Sequence, residues 1–223
     1  MAEPDTTRAR LRAAIVAVAP LVLLAGFVYH PYLHHPTDPG TIAAAAAADT
    51  TRWGLAHLAI AVGYGFAVLA FIAIRSYLRG VGEERWSARA LPFTVMGSTL
   101  FAILPGMEFA PLAAAEAGGD ARAAQAALIP WFVPILVTGG ISFAVGAFGF
   151  AIAIVRSAVM NPLPTWLVVG ALVVMAAARF VPLSTAPYVI AVAGILALWP
   201  LAFTMWKRAE RQSASQPSPM PAA

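Results

Sequence analysis

The sequence predicts an all-α fold: a polytopic membrane bundle of six transmembrane helices with both termini in the cytoplasm. Three observations predict it. Hydrophobic residues make up 61% of the chain and charged residues only 11%, where soluble domains carry roughly 25% charged. The apolar residues gather into six runs, each near the ~20 residues that a spanning helix needs. The basic residues flank those runs on one side far more than on the other.

The spans follow in order. The first covers Ala13–Tyr29, behind Arg8, Arg10 and Arg12. The second is Trp53–Ile74, closed by Arg75, and the third is Leu91–Phe109. The fourth is Pro130–Val155, closed by Arg156. The fifth is Thr165–Phe180, and the sixth is Tyr188–Trp206, followed by Lys207 and Arg208. Residues 1–12 read as a cytoplasmic segment, 13–206 as the membrane domain and 207–223 as a disordered cytoplasmic tail whose Ser, Pro and Gln cannot bury enough surface to fold.

With the N-terminus inside, Arg8, Arg10, Arg12, Arg75, Arg79, Arg85, Arg89, Arg156, Lys207, Arg208 and Arg211 are cytoplasmic. Only Arg52, Arg122 and Arg179 fall outside. Eleven against three is the positive-inside pattern. The net charge of +4 therefore reflects topology, not a nucleic-acid surface. The basic start and apolar run of the first span also fit a signal peptide, but prolines follow and no small-residue cleavage site lies close behind. An uncleaved anchor is expected.

Composition excludes several chemistries. There is no cysteine, which removes disulfides, thiolate catalysis and Cys-ligated metals. The one lysine, Lys207, lies beyond the last span, which removes a retinal-type Schiff base. A bis-histidine haem needs two axial histidines at matching depth, and only His57 is clearly within a span. Ser-His, Asp-Asp and His-Glu-x-x-His signatures are absent, so the chain leans away from an enzyme.

Two outer segments have some order of their own. In His30–Thr50, the Asp38-Pro39-Gly40 turn precedes an alanine run that Thr41 is placed to cap. Ala113–Leu128 reads as a short helix or loop on the outer surface. Gly80–Trp86 reads as a solvated connector, and Asn161–Pro164 as a rigid turn. The residues Ala59, Gly63 and Ala67, and likewise Thr138, Ser142 and Gly146 with Gly149 beyond, form small-residue stripes at helical spacing. Such stripes let helix backbones approach closely. Packing within the bundle is the first use for them, and a homo-oligomer or membrane-complex face the second. Trp53, Trp131, Trp166 and Trp206 lie near span ends and read as interface anchors.

One polar constellation stands out. All four histidines map to the outer half: His30 ends the first span, His34 and His35 follow it, and His57 lies within the second, roughly 6 Å below Trp53. Glu108 and Arg179 sit at the outer ends of the third and fifth spans, and Tyr64 shares a helical face with His57. Ionisable side chains at membrane depth are costly and face the bundle interior or a wet cavity. Pro105-Gly106 is placed to bend the helix just before Glu108.

Three uses compete with a purely structural cluster that fastens the helix ends. One is an outward-facing site that binds or moves a small solute or ion, built on His57, Glu108, Arg179 and Tyr64. Another is a divalent metal held by His57 and Glu108 with His30, His34 or His35, since zinc takes three or four N/O ligands. A metal-dependent outward-facing membrane enzyme is its extension. The remaining one is an accessory or scaffold subunit of a membrane complex.

The segments DPGTIAAAAAADTTRWGLAHLAIAVGYG and AIVRSAVMNPLPTWLVVGALVV resemble parts of uncharacterised bacterial six-helix integral membrane proteins grouped as domains of unknown function. The resemblance implies the six-helix architecture and a multi-pass protein of a bacterial cytoplasmic membrane. It implies no chemistry.

Overall fold

The computed structural model describes residues 3–214, all of whose regular structure is helical. Six long helices carry the fold: α1 (Glu3–Tyr29), α3 (Thr50–Arg79), α4 (Arg85–Met107), α6 (Ala121–Ser157), α7 (Pro162–Ala177) and α8 (Ala186–Ala214). Two short ones, α2 (Pro39–Ala48) and α5 (Phe109–Glu116), sit between them, and a 3-10 turn (Ala178–Phe180) ends α7. The six long segments, with α4–α5 and α7 with its turn each counted as one, are long and apolar enough to cross a membrane. No more than half of the most apolar stretch of any span (33–50%) is buried within the protein. The outward faces carry Leu58, Val62 and Leu69 of α3, Ile141 and Phe148 of α6, and Phe203 of α8. Lipid, not water, is the solvent that such faces tolerate.

Local chemistry sets the boundaries. Asp49 caps α3 by accepting from the Arg52 amide at 2.9 Å, and Asp120 caps α6 by accepting from Ala123 at 2.9 Å. Each satisfies an amide that has no partner inside its helix. At α2 the cap is Asp38, not Thr41: the Thr41 amide and hydroxyl both donate to the Asp38 carboxylate, at 2.7 and 2.8 Å, while Pro39 opens the helix. Those two bonds, the hydroxyl's first, hold the Asp38 carboxyl below its usual range.

The connector before α4 also differs from the solvated loop expected of it. Glu83 is buried and accepts from the amides of Trp86 (2.8 Å) and Ser87 (3.2 Å), capping the helix. Beside it, Glu84 pairs with Arg75 at 3.6 Å. The second alanine-rich segment divides: residues up to Glu116 form α5, and those from Ala121 are the first turns of α6. The tail expected to be disordered from residue 207 is helical as far as Ala214. Glu210 accepts from Lys207 Nζ at 3.1 Å and Trp206 Nε1 at 2.9 Å, which supports the added turns. Residues 215–223 of that tail lie outside the described residues.

The long helices pack in the order α1, α3, α4, α6, α7, α8 and back to α1, closing a ring. Across its middle, the buried Phe71 meets Phe143 at 5.8 Å and Phe150 at 5.0 Å between ring centroids. The small-residue stripes are used inside the chain. Gly63 of α3 lies against Leu23 of α1, while Gly146 and Gly149 of α6 lie against Thr94 and Ala90 of α4. Ser142 is buried and Thr138 is exposed, so Gly139 takes the place that the four-residue repeat assigns to Thr138. At one end α2, α5 and the start of α6 form a cap that packs onto α3. Beneath it, Ile42, Ala46, Trp53 and Leu112 form a separate small core.

Candidate functional site

The site lies under that cap. Trp53 opens the first full turn of α3, and its indole is 1% exposed, so it is no interface anchor. A span-end tryptophan normally rests its N–H in the headgroups. Here the cap excludes lipid, and Nε1 donates to the Glu108 backbone carbonyl at 3.2 Å. Trp131 and Trp166 are 70% and 62% exposed, in keeping with anchoring.

One turn after Trp53, His57 is buried and its Nδ1 donates to the Trp53 carbonyl at 2.7 Å. His30 Nδ1 donates in the same way to Pro31 O at 2.7 Å. A carbonyl only accepts, so both rings carry a proton on Nδ1. The three rings form a cluster, with centroids 4.4 Å apart for Trp53–His57, 4.8 Å for His30–His57 and 5.0 Å for His30–Trp53. Arg52 ties the cluster to α1 by donating from Nε to Tyr29 O at 2.7 Å.

Burial pushes the His30 imidazole below the usual histidine value of 6.5. Its bond to Pro31 opposes this and the Arg52 charge adds to it. The unfolded chain therefore binds more protons than the folded one just below that value, and stability falls as pH falls through this window. The thermal midpoint of detergent-solubilised protein should drop between pH 7 and pH 5, and drop less in His30→Asn. An equal drop in both would remove His30 as the cause.

Glu108 follows the Pro105-bearing end of α4 and is buried. Its Oε1 accepts from Gln125 Nε2 of α6 at 3.2 Å, while Glu108 Oε2 and the Gln125 side-chain Oε1 have no partner among the described residues. Arg179, in the 3-10 turn, is buried between aromatic faces. Its Cζ lies 3.7 Å from the Phe143 ring centroid and 5.0 Å from that of Phe101. Nη1 donates to the Met175 carbonyl, and Nε has no partner among the described residues. The ion pairs among the described residues are Arg75–Glu84 and Lys207–Glu210, so neither Glu108 nor Arg179 is ion-paired among them. Tyr64 stacks on the other neighbour of Arg179, Phe101, at 5.5 Å.

His57, Tyr64, Glu108 and Arg179 line one cavity of about 430 Å³, within the range of small-molecule sites. Its remaining wall is mostly apolar, including Phe27, Ile60, Leu104, Phe132 and Ile190. It reaches the surface past Val137, Phe180, Val181 and Leu183, each at least 44% exposed.

The other sequence-predicted ligands are elsewhere. His34 and His35 are exposed on the loop, where His34 packs edge-on against Tyr32 at 5.2 Å, and neither lines the cavity. His30 borders a smaller adjoining pocket of about 90 Å³. Among the described residues no three His, Asp or Glu side chains gather as a metal centre would. The ligand set of His57, Glu108, His30, His34 and His35 is therefore not assembled. The proline-rich loop holds His34 and His35 in solvent, while His30 and His57 turn Nδ1 to backbone carbonyls.

Sequence reasoning passed over Gln125, Phe101 and Phe143. Gln125 did carry a signal, as the one amide in an alanine-rich stretch. The two phenylalanines carried none, because nothing in an apolar span marks the ring that will lie under an arginine.

No family model matches the chain, and neither a curated protein nor a solved structure matches it.

Proposed function

We propose that this chain is a small multi-pass protein of a bacterial cytoplasmic membrane, with both termini cytoplasmic. It binds or moves a small solute, without covalent chemistry, through the cavity at its outward-facing end. The observation that carries the reading is that Glu108 and Arg179 line the same cavity yet do not pair. Leaving a buried charge without its partner costs several kcal/mol. A cluster serving only to fasten helices would join the two groups. A binding site keeps them open, with the ligand completing them.

Native mass spectrometry of the purified protein tests this. Wild type is expected to retain a bound small molecule, and His57→Ala and Glu108→Ala to lose it. A wild-type protein that carries nothing and binds nothing from a solute screen would sink the reading. Orientation is tested separately, because the absence of cysteine makes single-cysteine labelling clean. Thr37→Cys, at the cavity edge, should react with a membrane-impermeant maleimide on intact cells. Arg85→Cys should react only after permeabilisation. The reverse pattern would invert the topology.

A further inference from the structure

We infer that the cavity takes a lipophilic acid: an amphiphile with an apolar body and one anionic headgroup that docks on Arg179. This rests on reading the cavity as a binding site and names the class of its ligand.

The headgroup follows from Arg179. It is 8% exposed, it lines the cavity, and its Nε is buried without a partner. A guanidinium has five N–H donors and stays charged under all ordinary conditions. Among the described residues only the Met175 carbonyl accepts from it. The Phe101 and Phe143 faces offset part of its desolvation, but a ring face replaces neither the missing hydrogen bonds nor the countercharge. The group that supplies both is a carboxylate or a phosphate, an acceptor-only anion whose paired oxygens match the guanidinium fork. Glu108 does not fill this role. Its carboxyl is held on the α4–α6 wall by Gln125 and makes no ion pair.

The body follows from the walls and the mouth. Away from the four polar side chains, the lining is mostly aliphatic and aromatic. Of the exposed lining residues, Val137, Phe180, Val181, Pro182 and Leu183 form an apolar edge between α6 and the segment after α7, and Thr37 lies on the loop after α1. Phe180 packs on Gly140, where an added Cβ would lie 3.0 Å from its ring. A strongly hydrated solute gains nothing from an apolar rim. A chain already dissolved in the bilayer meets its own kind of solvent there and enters without first crossing water. Its acid then reaches Arg179, while its tail stays among Ile60, Phe132 and Ile190.

The test uses the full-length protein in nanodiscs, with empty nanodiscs subtracted, and three probes of equal chain length: decanoate, decanol and decylammonium. Decanoate is expected to bind saturably and at least about tenfold more tightly than the other two, a difference of about 1.4 kcal/mol. That comparison needs no variant. Arg179→Gln should lose the preference, Arg179→Lys should keep part of it, and Arg122→Gln, at an exposed arginine outside the cavity lining, should keep it. A lysophosphatidate competition arm distinguishes the sources. Displacement of decanoate assigns a lipid phosphate headgroup, and failure to displace assigns a free carboxylic acid; either outcome supports an anionic amphiphile. Decanol or decylammonium binding as tightly as decanoate would overturn the ligand class while leaving the cavity a binding site. A preference that survives Arg179→Gln would overturn it as well. If none of the probes binds, and native mass spectrometry shows an unrelated bound solute, the ligand class fails alone. If that spectrum is also empty, the reading of the cavity fails with it.

Discussion

Replacing Gly97 or Gly146 by alanine is expected to disrupt the bundle, although alanine adds only a methyl group. These two glycines make the crossing of α4 with α6. A Cβ at Gly97 would lie 2.6 Å from the backbone nitrogen of Phe143 and 2.8 Å from its Cα. A Cβ at Gly146 would lie 2.6 Å from the Thr94 nitrogen and 2.5 Å from its Cγ2. The obstacles are chiefly backbone atoms, so no side-chain rotation relieves them and the helices must separate. Overpacking a core costs about 1–3 kcal/mol where side chains can adjust, and the upper end or beyond is expected here. The same substitution at Gly65 or Gly170, where nothing lies within 4 Å, reverses the sign. There, alanine should gain about 0.5–1 kcal/mol from its helix preference. Thermal midpoints in one detergent, with the monodisperse fraction on size exclusion, measure all four. A Gly97→Ala protein as stable as Gly65→Ala would show that the crossing is not this tight.

The contrast between these glycines marks what the sequence could and could not reveal. The six spans were legible because a bilayer imposes a length and a composition on each, whatever its neighbours. The stripe of Gly63 and Ala67, and that of Gly146 and Gly149, were legible because small residues repeat there at helical spacing. Gly97 was not, because its neighbours four residues away are Phe93 and Phe101, so no four-residue repeat of small residues runs through it. Of the site, His57, Tyr64, Glu108 and Arg179 could be named from sequence because polar and ionisable groups are rare at such depth. Their surroundings could not. Gln125 reaches Glu108 only because α6 begins nine residues before the apolar run expected of it. Residues 207–214 extend α8 for a related reason: helix formation follows local pairing at Glu210 and outlasts hydropathy. Hydropathy locates the membrane, and helices are free to run past it.

Trp53→Ala is expected to have the largest effect of any single change at the site. The side chain is among the largest that are fully buried, and truncating a buried tryptophan costs about 3–5 kcal/mol. Three further losses are specific to this position. The Glu108 carbonyl loses the indole N–H that it accepts. The rings of His30 and His57 lose the face they share. Ile42 and Ala46 of α2 and Leu112 of α5 lose the group around which the cap core is built. The effect should therefore be polarised, with the cap loosening from α3 while the far side of the ring keeps its packing. Hydrogen exchange should show α2 and α5 exchanging much faster than in wild type and α7 unchanged, alongside a lower thermal midpoint. Trp53→Phe separates packing from hydrogen bonding. It restores most of the ring volume but leaves the Glu108 carbonyl without its donor, a loss of about 1–3 kcal/mol if that oxygen stays buried. Trp166→Ala, on an exposed face of α7, should cost far less. The geometry also joins this prediction to ligand binding. The Trp53 carbonyl fixes His57, and the Trp53 indole fixes the backbone of Glu108, so two of the four polar walls of the cavity depend on one residue. Trp53→Phe should accordingly weaken retention of the bound molecule more than its loss of stability alone explains. Full retention at the wild-type level, with α2 exchanging as before, would show that the cap and the cavity are independent.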